Sequence, residues 1–436
     1  MGSSITLQLP LLTASAEARA RVPRVRAMRQ RLETRRVDDI AGAIAGELAR
    51  PAIGEQIARG HRIAIGVGSR GIDRCPDVVA ALVRELRRRG AEPFVIAAMG
   101  SHGGATADGK RALLAGLGFT EAAIGAPVRV ETATVELGRL DDGTPIYIDA
   151  LAAAADGIVV VNRIKPHTAF RAPIESGLAK MLAVGLGHAD SAAALHRHGM
   201  ARFDVLVPAA LALIRTRAPV RFGIALVENG RGELAHVEAV AADAIASREV
   251  ALLELARAYM PTLPFAELDV LVLERLGKDI SGQGADPNVV GRSARGLPFG
   301  GPRIDKLVGL DLSDGAHGNA LGIGQLDVVT AQLVARADLA ATYANVVPTT
   351  YLDLGALPLV AATPSDAVTV AVGAIAGRAP RDVRLVYARD TKSLATLFVS
   401  EALFDEVRAH DRCELVGEPR PLLDGDNLVS WSVDIF

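Results

Sequence analysis

From Ile63 onward, short runs of β-branched residues alternate with Ala-, Leu- and Arg-rich stretches of helical length. No other feature constrains the fold as much. Strands separated by helix-length segments are joined by right-handed crossovers, which make the strands parallel. The pattern predicts strands at Arg62 to Val67, Pro93 to Ala98, Val128 to Thr132 and Gly157 to Asn162, with helices near Pro76 to Arg89 and Gly109 to Leu117. A helix over Ser247 to Tyr259, with Ser247 as its N-cap, precedes a new buried strand, Leu268 to Leu273. Helices over Leu326 to Ala341 and Ser365 to Ile375 and a strand over Val383 to Tyr387 continue the pattern. The expectation is an α/β chain of two domains, 1–264 and 265–436, each a mostly parallel sheet flanked by helices. The active site is expected in the cleft between them, with the C-terminal tail able to return to the first domain. The 436 residues suffice for two cores, and with 4% aromatic residues those cores are built from Ala, Val, Leu and Ile.

Charge excludes several partners. Lys plus Arg total 48 against 50 for Asp plus Glu, a net charge of −2, so no global field attracts nucleic acid or an anionic membrane. The local run Arg19, Arg21, Arg24, Arg26, Arg29, Arg31, Arg35 and Arg36 has no interleaved aromatic residues for base stacking and reads as a solvated helix face. Cys75 and Cys413 form no CxxC pattern and fit a reducing compartment. The start, Met1 to Thr6, matches a myristoylation pattern but has no nearby cysteine for a second anchor. Without a run long enough to span a bilayer or a secretory leader, the chain is expected to be soluble and cytoplasmic.

In open parallel sheets, ligands bind beyond the carboxyl ends of the strands. Here those ends carry Gly68-Ser69-Arg70-Gly71, Gly100-Ser101-His102-Gly103-Gly104 and Asn162-Arg163-Ile164-Lys165-Pro166-His167. Gly66 to Gly71 is a literal GxGxxG, yet the next strand ends without the acidic residue that would hold a ribose. The loop reads better as an anion cradle in which Arg70 holds a carboxylate or phosphate. His102 and His167, each on a strand-end loop, could exchange acid and base roles across a stereocentre. Lys180 is the one cation in the small-residue stretch Ser176 to Gly187. Desolvation there would lower its pKa and make its amine a nucleophile or covalent anchor, the alternative being a snorkelling lysine. In Leu195-His196-Arg197-His198 the two histidines point to different sides of a helix, so at most one ligates a metal. The loop Gly277 to Asn288 brings Lys278, which could reach a substrate carboxylate across from Arg70, the alternative being a turn with no ligand role.

Together, Ser69-Arg70, Gly100-Ser101-His102, Lys165-Pro166-His167, Ser176-Gly177-Leu178-Ala179-Lys180 and Leu195-His196-Arg197 resemble the nickel-dependent lactate racemase family over about residues 60–200. The resemblance implies a racemase or epimerase of a small 2-hydroxy acid. It implies a nickel pincer nucleotide, a pyridinium-3-thioamide-5-thiocarboxylic acid mononucleotide, held covalently by Lys180, with His196 on the nickel. His102 and His167 match its catalytic pair, Arg70 its carboxylate contact, and Ser69 and Gly177 its cofactor loops. Lys278 and Gln283 match its substrate residues loosely. The chemistry is hydride abstraction and return through a 2-oxo acid, and maturation needs the enzymes that build the cofactor. Residues 168–176 depart from lactate racemase itself, and Arg171 and Glu175 suggest a larger or more polar acid. The competing readings are a nicotinamide-dependent oxidoreductase, a metal-assisted hydrolase or lyase, and a non-catalytic ligand sensor.

Overall fold

The computed structural model describes residues 8–297 and 299–431, so the Met1 to Thr6 pattern and the last five residues lie outside the described part. The chain forms two compact units, Glu33–Met260 and a second made of Met1–Leu32 with Pro261–Phe436. Strand β1 (Arg24–Gln30) therefore belongs with the C-terminal residues, whereas the sequence reading grouped all of 1–264 together. The arginine run is correspondingly not a helix face. In β1, Val25 and Ala27 are buried between the exposed Arg24 and the partly exposed Arg26 and Arg29. Arg-Val-Arg-Ala has the period of a half-buried strand.

The unit Glu33–Met260 is built on a six-stranded sheet: β2 (Arg62–Val67), β3 (Glu92–Ala97), β4 (Val128–Arg129), β7 (Gly157–Arg163), β8 (Val220–Glu228) and β9 (Leu234–Ala241), in the order β4-β3-β2-β7-β8-β9. A hairpin of β5 (Thr134–Arg139) and β6 (Pro145–Asp149) stands apart from it. All neighbours in the larger sheet are parallel except β8 and β9. The strand predicted at 128–132 is only two residues long. Helix Cys75–Arg88 starts with Pro76 in its first turn, ends with Arg87 and Arg88, and packs Val78, Val79, Leu82 and Leu86 onto Ile63, Ile65 and Val67. From β2 the chain crosses towards β3, while from β7 it crosses to β8 on the other side. The carboxyl ends of β2 and β7 thus flank the point where strand order reverses, the place where such a sheet opens a crevice.

The second unit holds β10 (Glu267–Leu276), β11 (Arg303–Leu312), β12 (Val328–Thr330), β13 (Leu359–Ala361), β14 (Leu385–Ala388), β15 (Thr396–Ser400) and β16 (Cys413–Pro421), ordered β13-β12-β11-β10-β14-β15-β1-β16. The first five are mutually parallel; the last three join antiparallel. The chain is α/β throughout. The helix expected over Leu326 to Ala341 is instead β12 followed by helices Ala331–Arg336 and Leu339–Val346. Thr330 and Asp338 each accept a backbone N–H as N-caps, and the β-branched pair Val328-Val329 takes the strand. Ser247 is not a cap either: its helix begins at Ile245, and the hydroxyl donates to the Ala244 carbonyl. Among the described residues no helix is long and apolar enough to cross a membrane.

Candidate active site

Each candidate loop is fixed by contacts that its sequence only partly announces. Gly66 lies inside β2, where a Cβ would stand 3.2 Å from that of Ala98 and 3.3 Å from Val160 Cγ1. It is a packing glycine. The following helix starts only at Cys75, behind Arg74 at φ 51°, so no phosphate-binding turn forms on GxGxxG. Beyond β2, the Ser69 hydroxyl and His102 Nδ1 share a hydrogen bond that joins the first two loops. The His102 loop begins at Gly100, φ 57°, whose N–H donates to the Gly185 carbonyl at 3.0 Å.

Beyond β7, Arg163 pairs with Glu228 of the neighbouring β8. The Lys165 and Ser176 backbones bridge, and Asn162 Nδ2 donates to the Gly177 carbonyl at 2.8 Å. Inside the loop, the buried Glu175 carboxylate accepts from the His167 N–H (2.6 Å), the Ala172 N–H (3.2 Å), Arg257 (2.7 Å) and Arg171 (3.4 Å). The sequence reading offered Arg171 and Glu175 as selectors of a polar acid. For Glu175 the structure corrects this, because its oxygens are filled from within and serve to hold His167.

The His167 ring is read from its two contacts. Nδ1 accepts the Ala169 N–H at 3.0 Å, so the ring proton sits on Nε2. Nε2 lies 2.5 Å from Lys180 Nζ, and an Nε2–H can only donate there if the amine is unprotonated. Electrostatics agree. Burial, then the Arg70 cation, push the Lys180 pKa down to about 7. Burial, then Lys180, His196, Arg171 and Arg70, hold His167 well below the usual imidazole range. Arg70, though its side chain reaches solvent, has its own pKa lowered by surrounding protein and by Arg163.

His196 closes the group from the helix His188–His196. Its Nδ1 donates to the Ala192 carbonyl at 2.6 Å, which leaves the lone pair on Nε2 available to a metal. His198, two residues on, is bonded to Thr144 Oγ1 instead. Phe203 ties the parts together: its ring centroid is 5.0 Å from that of His196, 5.6 Å from that of Phe170 and 6.0 Å from Lys180 Nζ. Phe170 in turn stands 4.4 Å from the His167 ring.

Lys180 ends a short helix, Leu178–Lys180, and is followed by a wide π turn, Met181–Gly185, of the sort that often marks functional sites. Sequence reasoning missed how that helix starts. Glu249, buried on the helix Ile245–Tyr259, accepts the N–H groups of Leu178 and Ala179, and burial pushes its carboxyl up to about 7. Gly177 makes this possible, since a Cβ there would stand 2.0 Å from Glu249 Oε1. Its lack of a side chain is thus required by Glu249. Nothing in the sequence signals a partner some seventy residues away. Ser69, Arg70, His102, His167, Lys180 and His196 therefore share one unit. Lys278 and Gln283 belong to the other, where Lys278 donates to Asn345 and the buried Gln283 faces Gln325 at 3.0 Å.

Residues 22–204 match the family described as the lactate racemase N-terminal domain. No curated protein is matched. Among solved structures, the lactate racemase apoprotein from Thermoanaerobacterium thermosaccharolyticum aligns at 13% identity over 65% of this chain and 69% of its own, with a TM-score of 0.44. A protein from Thermotoga maritima aligns at 14% identity over 76% of this chain and 81% of its own, with a TM-score of 0.47.

Proposed function

We propose, on the premise that this chain belongs to the lactate racemase family through residues 22–204, that it is a racemase or epimerase of a small 2-hydroxy acid, working with a nickel pincer nucleotide joined to Lys180. The observation that carries this reading is an amine set against His167 in its unprotonated form, beside an imidazole whose Nε2 lone pair is open. These residues fit the group. Attachment needs a free amine, and nickel in a planar field of soft donors takes one imidazole nitrogen well. Among the described residues no three His, Cys, Asp or Glu side chains gather around a metal position, so the donors beside His196 would come from the organic group itself.

When bound, the cofactor would supply a two-electron acceptor for the α-hydrogen and return it to either face. The chain's own residues do the rest. Arg70 holds the carboxylate with its planar cationic fork. His102, oriented by Ser69, takes the proton of the 2-hydroxyl and gives it back; His167, held neutral with Nδ1 filled by the Ala169 N–H, offers its Nε2–H to the substrate oxygen. Phe170 and Phe203 keep water from the Lys180 side.

The test is to produce the protein alongside the cofactor-building enzymes and measure intact mass, nickel content and interconversion of paired 2-hydroxy acid enantiomers, with Lys180→Ala as comparison. The expected result is a Lys180-dependent adduct carrying stoichiometric nickel, and turnover only with it. Absence of both adduct and nickel would overturn the proposal, and saturable binding of a nicotinamide dinucleotide would then favour the oxidoreductase reading.

A further inference from the structure

Behind the site lies a polar trio that the proposed chemistry does not use. Lys110, on the helix Ala107–Gly116, is wholly buried, with Nζ 2.7 Å from His188 Nδ1. His188 Nε2 is 2.8 Å from Asp149 Oδ2, and Asp149 Oδ1 accepts the Ala152 N–H at 2.9 Å. His188 and Asp149 are also buried. The carboxylate takes the Nε2–H, which leaves Nδ1 to accept from the ammonium: a buried cation and anion with a neutral imidazole between them. His188 adopts φ 51°, a conformation that a histidine rarely takes without being held.

Buried ion pairs are weak contributors to overall stability, because desolvation offsets the attraction. What this trio does is local. The His102 loop is anchored at its front by the Gly100 N–H on the Gly185 carbonyl, and at its back by Lys110 on His188. Both anchors fall on one stretch, residues 181–188, which runs from Lys180 into the helix bearing His196. Gly103, φ 67°, lies so close to this back anchor that a Cβ would stand 2.6 Å from the Lys110 amide nitrogen. We infer that Lys110, His188 and Asp149 are positioning residues that hold the His102 loop in register with the segment joining Lys180 to His196. The inference rests on the reading of His102 as a proton-carrying residue, but the trio's effect on the loop can be measured without it.

The experiment is amide hydrogen exchange, read by mass spectrometry on the full chain without cofactor, for wild type, Lys110→Met and His188→Asn. Methionine matches the length of lysine without its charge, and asparagine tolerates the positive φ. The amides of Gly100, His102, Ala105 and Thr106 donate to Gly185, Met99, Ser101 and Gly103 and report the loop. Both variants are expected to speed their exchange about tenfold, with β2, β3 and β7 still protected. The His102 ring signal in a histidine-labelled NMR spectrum, assigned with His102→Gln, is expected to move or broaden in both. Unchanged loop exchange and an unchanged His102 signal would overturn the inference. So would loss of protection throughout residues 33–260, which would make the trio a global stability element. Neither readout involves nickel, so failure of the cofactor reading and failure of this one are separable. Where turnover is obtained, kcat should fall with KM little altered.

Discussion

The unprotonated Lys180 amine is the feature on which most of the chemistry turns, and it can be titrated directly. The chain has six lysines, so trace acetylation followed by peptide mass spectrometry resolves each one. With its pKa pushed from 10.5 down to about 7, half of Lys180 is unprotonated at neutral pH. An ordinary lysine would be about 0.03% unprotonated there, so the nucleophilic fraction is higher by about a thousandfold. Labelling of Lys180 across roughly pH 5 to 10 should therefore rise with a midpoint near 7. Burial is the larger cause and the Arg70 cation the smaller. Arg70→Met should accordingly raise the midpoint, but by less than half of the total displacement. A wild-type midpoint near 10 would refute the account of the His167 contact, because an ammonium cannot accept the Nε2–H. A wild-type midpoint near 7 with no response to Arg70→Met would refute only the electrostatic part.

Three further outcomes follow from the same charges. A lysine whose folded pKa is lowered destabilises the folded state fully below that pKa and ceases to do so as pH rises past its unfolded value. Removing Lys180 as Lys180→Met should thus raise the thermal midpoint at pH 6: the displacement corresponds to about 5 kcal/mol, discounted to about 2–3 kcal/mol for the amine's partial exposure. Glu249 has its carboxyl raised from 4.5 to about 7, so its ionisation costs stability as pH rises through that window; denaturant titrations should show wild type losing about 3 kcal/mol relative to Glu249→Gln between those limits, and parallel curves would refute it. A saturating, unreactive carboxylate should raise the His167 pKa in an NMR titration, since an anion on Arg70 offsets one of the cations that depress it; no shift in wild type, or the same shift in Arg70→Met, would remove Arg70 from the anion site.

The strand ends were legible because period and punctuation coincide there: Ile63 to Val67 and Gly157 to Val161 are apolar runs closed by Gly, Ser or Asn. The loops beyond them named their own candidates. The interactions holding those candidates were not legible, since each joins residues remote in sequence: Glu249 to Leu178, Glu228 to Arg163, Lys110 to His188. Glu175 shows a subtler limit. As a carboxylate near cationic loops it looks like a selector of substrate, and only the filled coordination of its oxygens reveals a brace. β1 shows the opposite failure: Arg24-Val25-Arg26-Ala27 carried its period-two signal, but eight arginines within a short stretch drew attention to charge instead of spacing. Where β1 would pair was beyond the sequence, because its partners β15 and β16 lie some 370–400 residues away.

The site's charge also bears on order of events. Arg70, Lys180, His167 and His196 each gain a proton less readily, first because water is scarce and then because a cation stands near: Arg163 for Arg70, Arg70 for Lys180, Lys180 for His196, and several of these for His167. A cluster of groups that all resist protonation is a poor place for another cation and a good one for an anion. Under the proposed function, attachment at Lys180 would convert a titrating amine into a neutral linkage and remove one source of that resistance, and a carboxylate on Arg70 would offset another. The weak basicity of His167 suits a ring that stays neutral and donates its Nε2–H, and under the proposed function cofactor and substrate would each offset one of the cations around it.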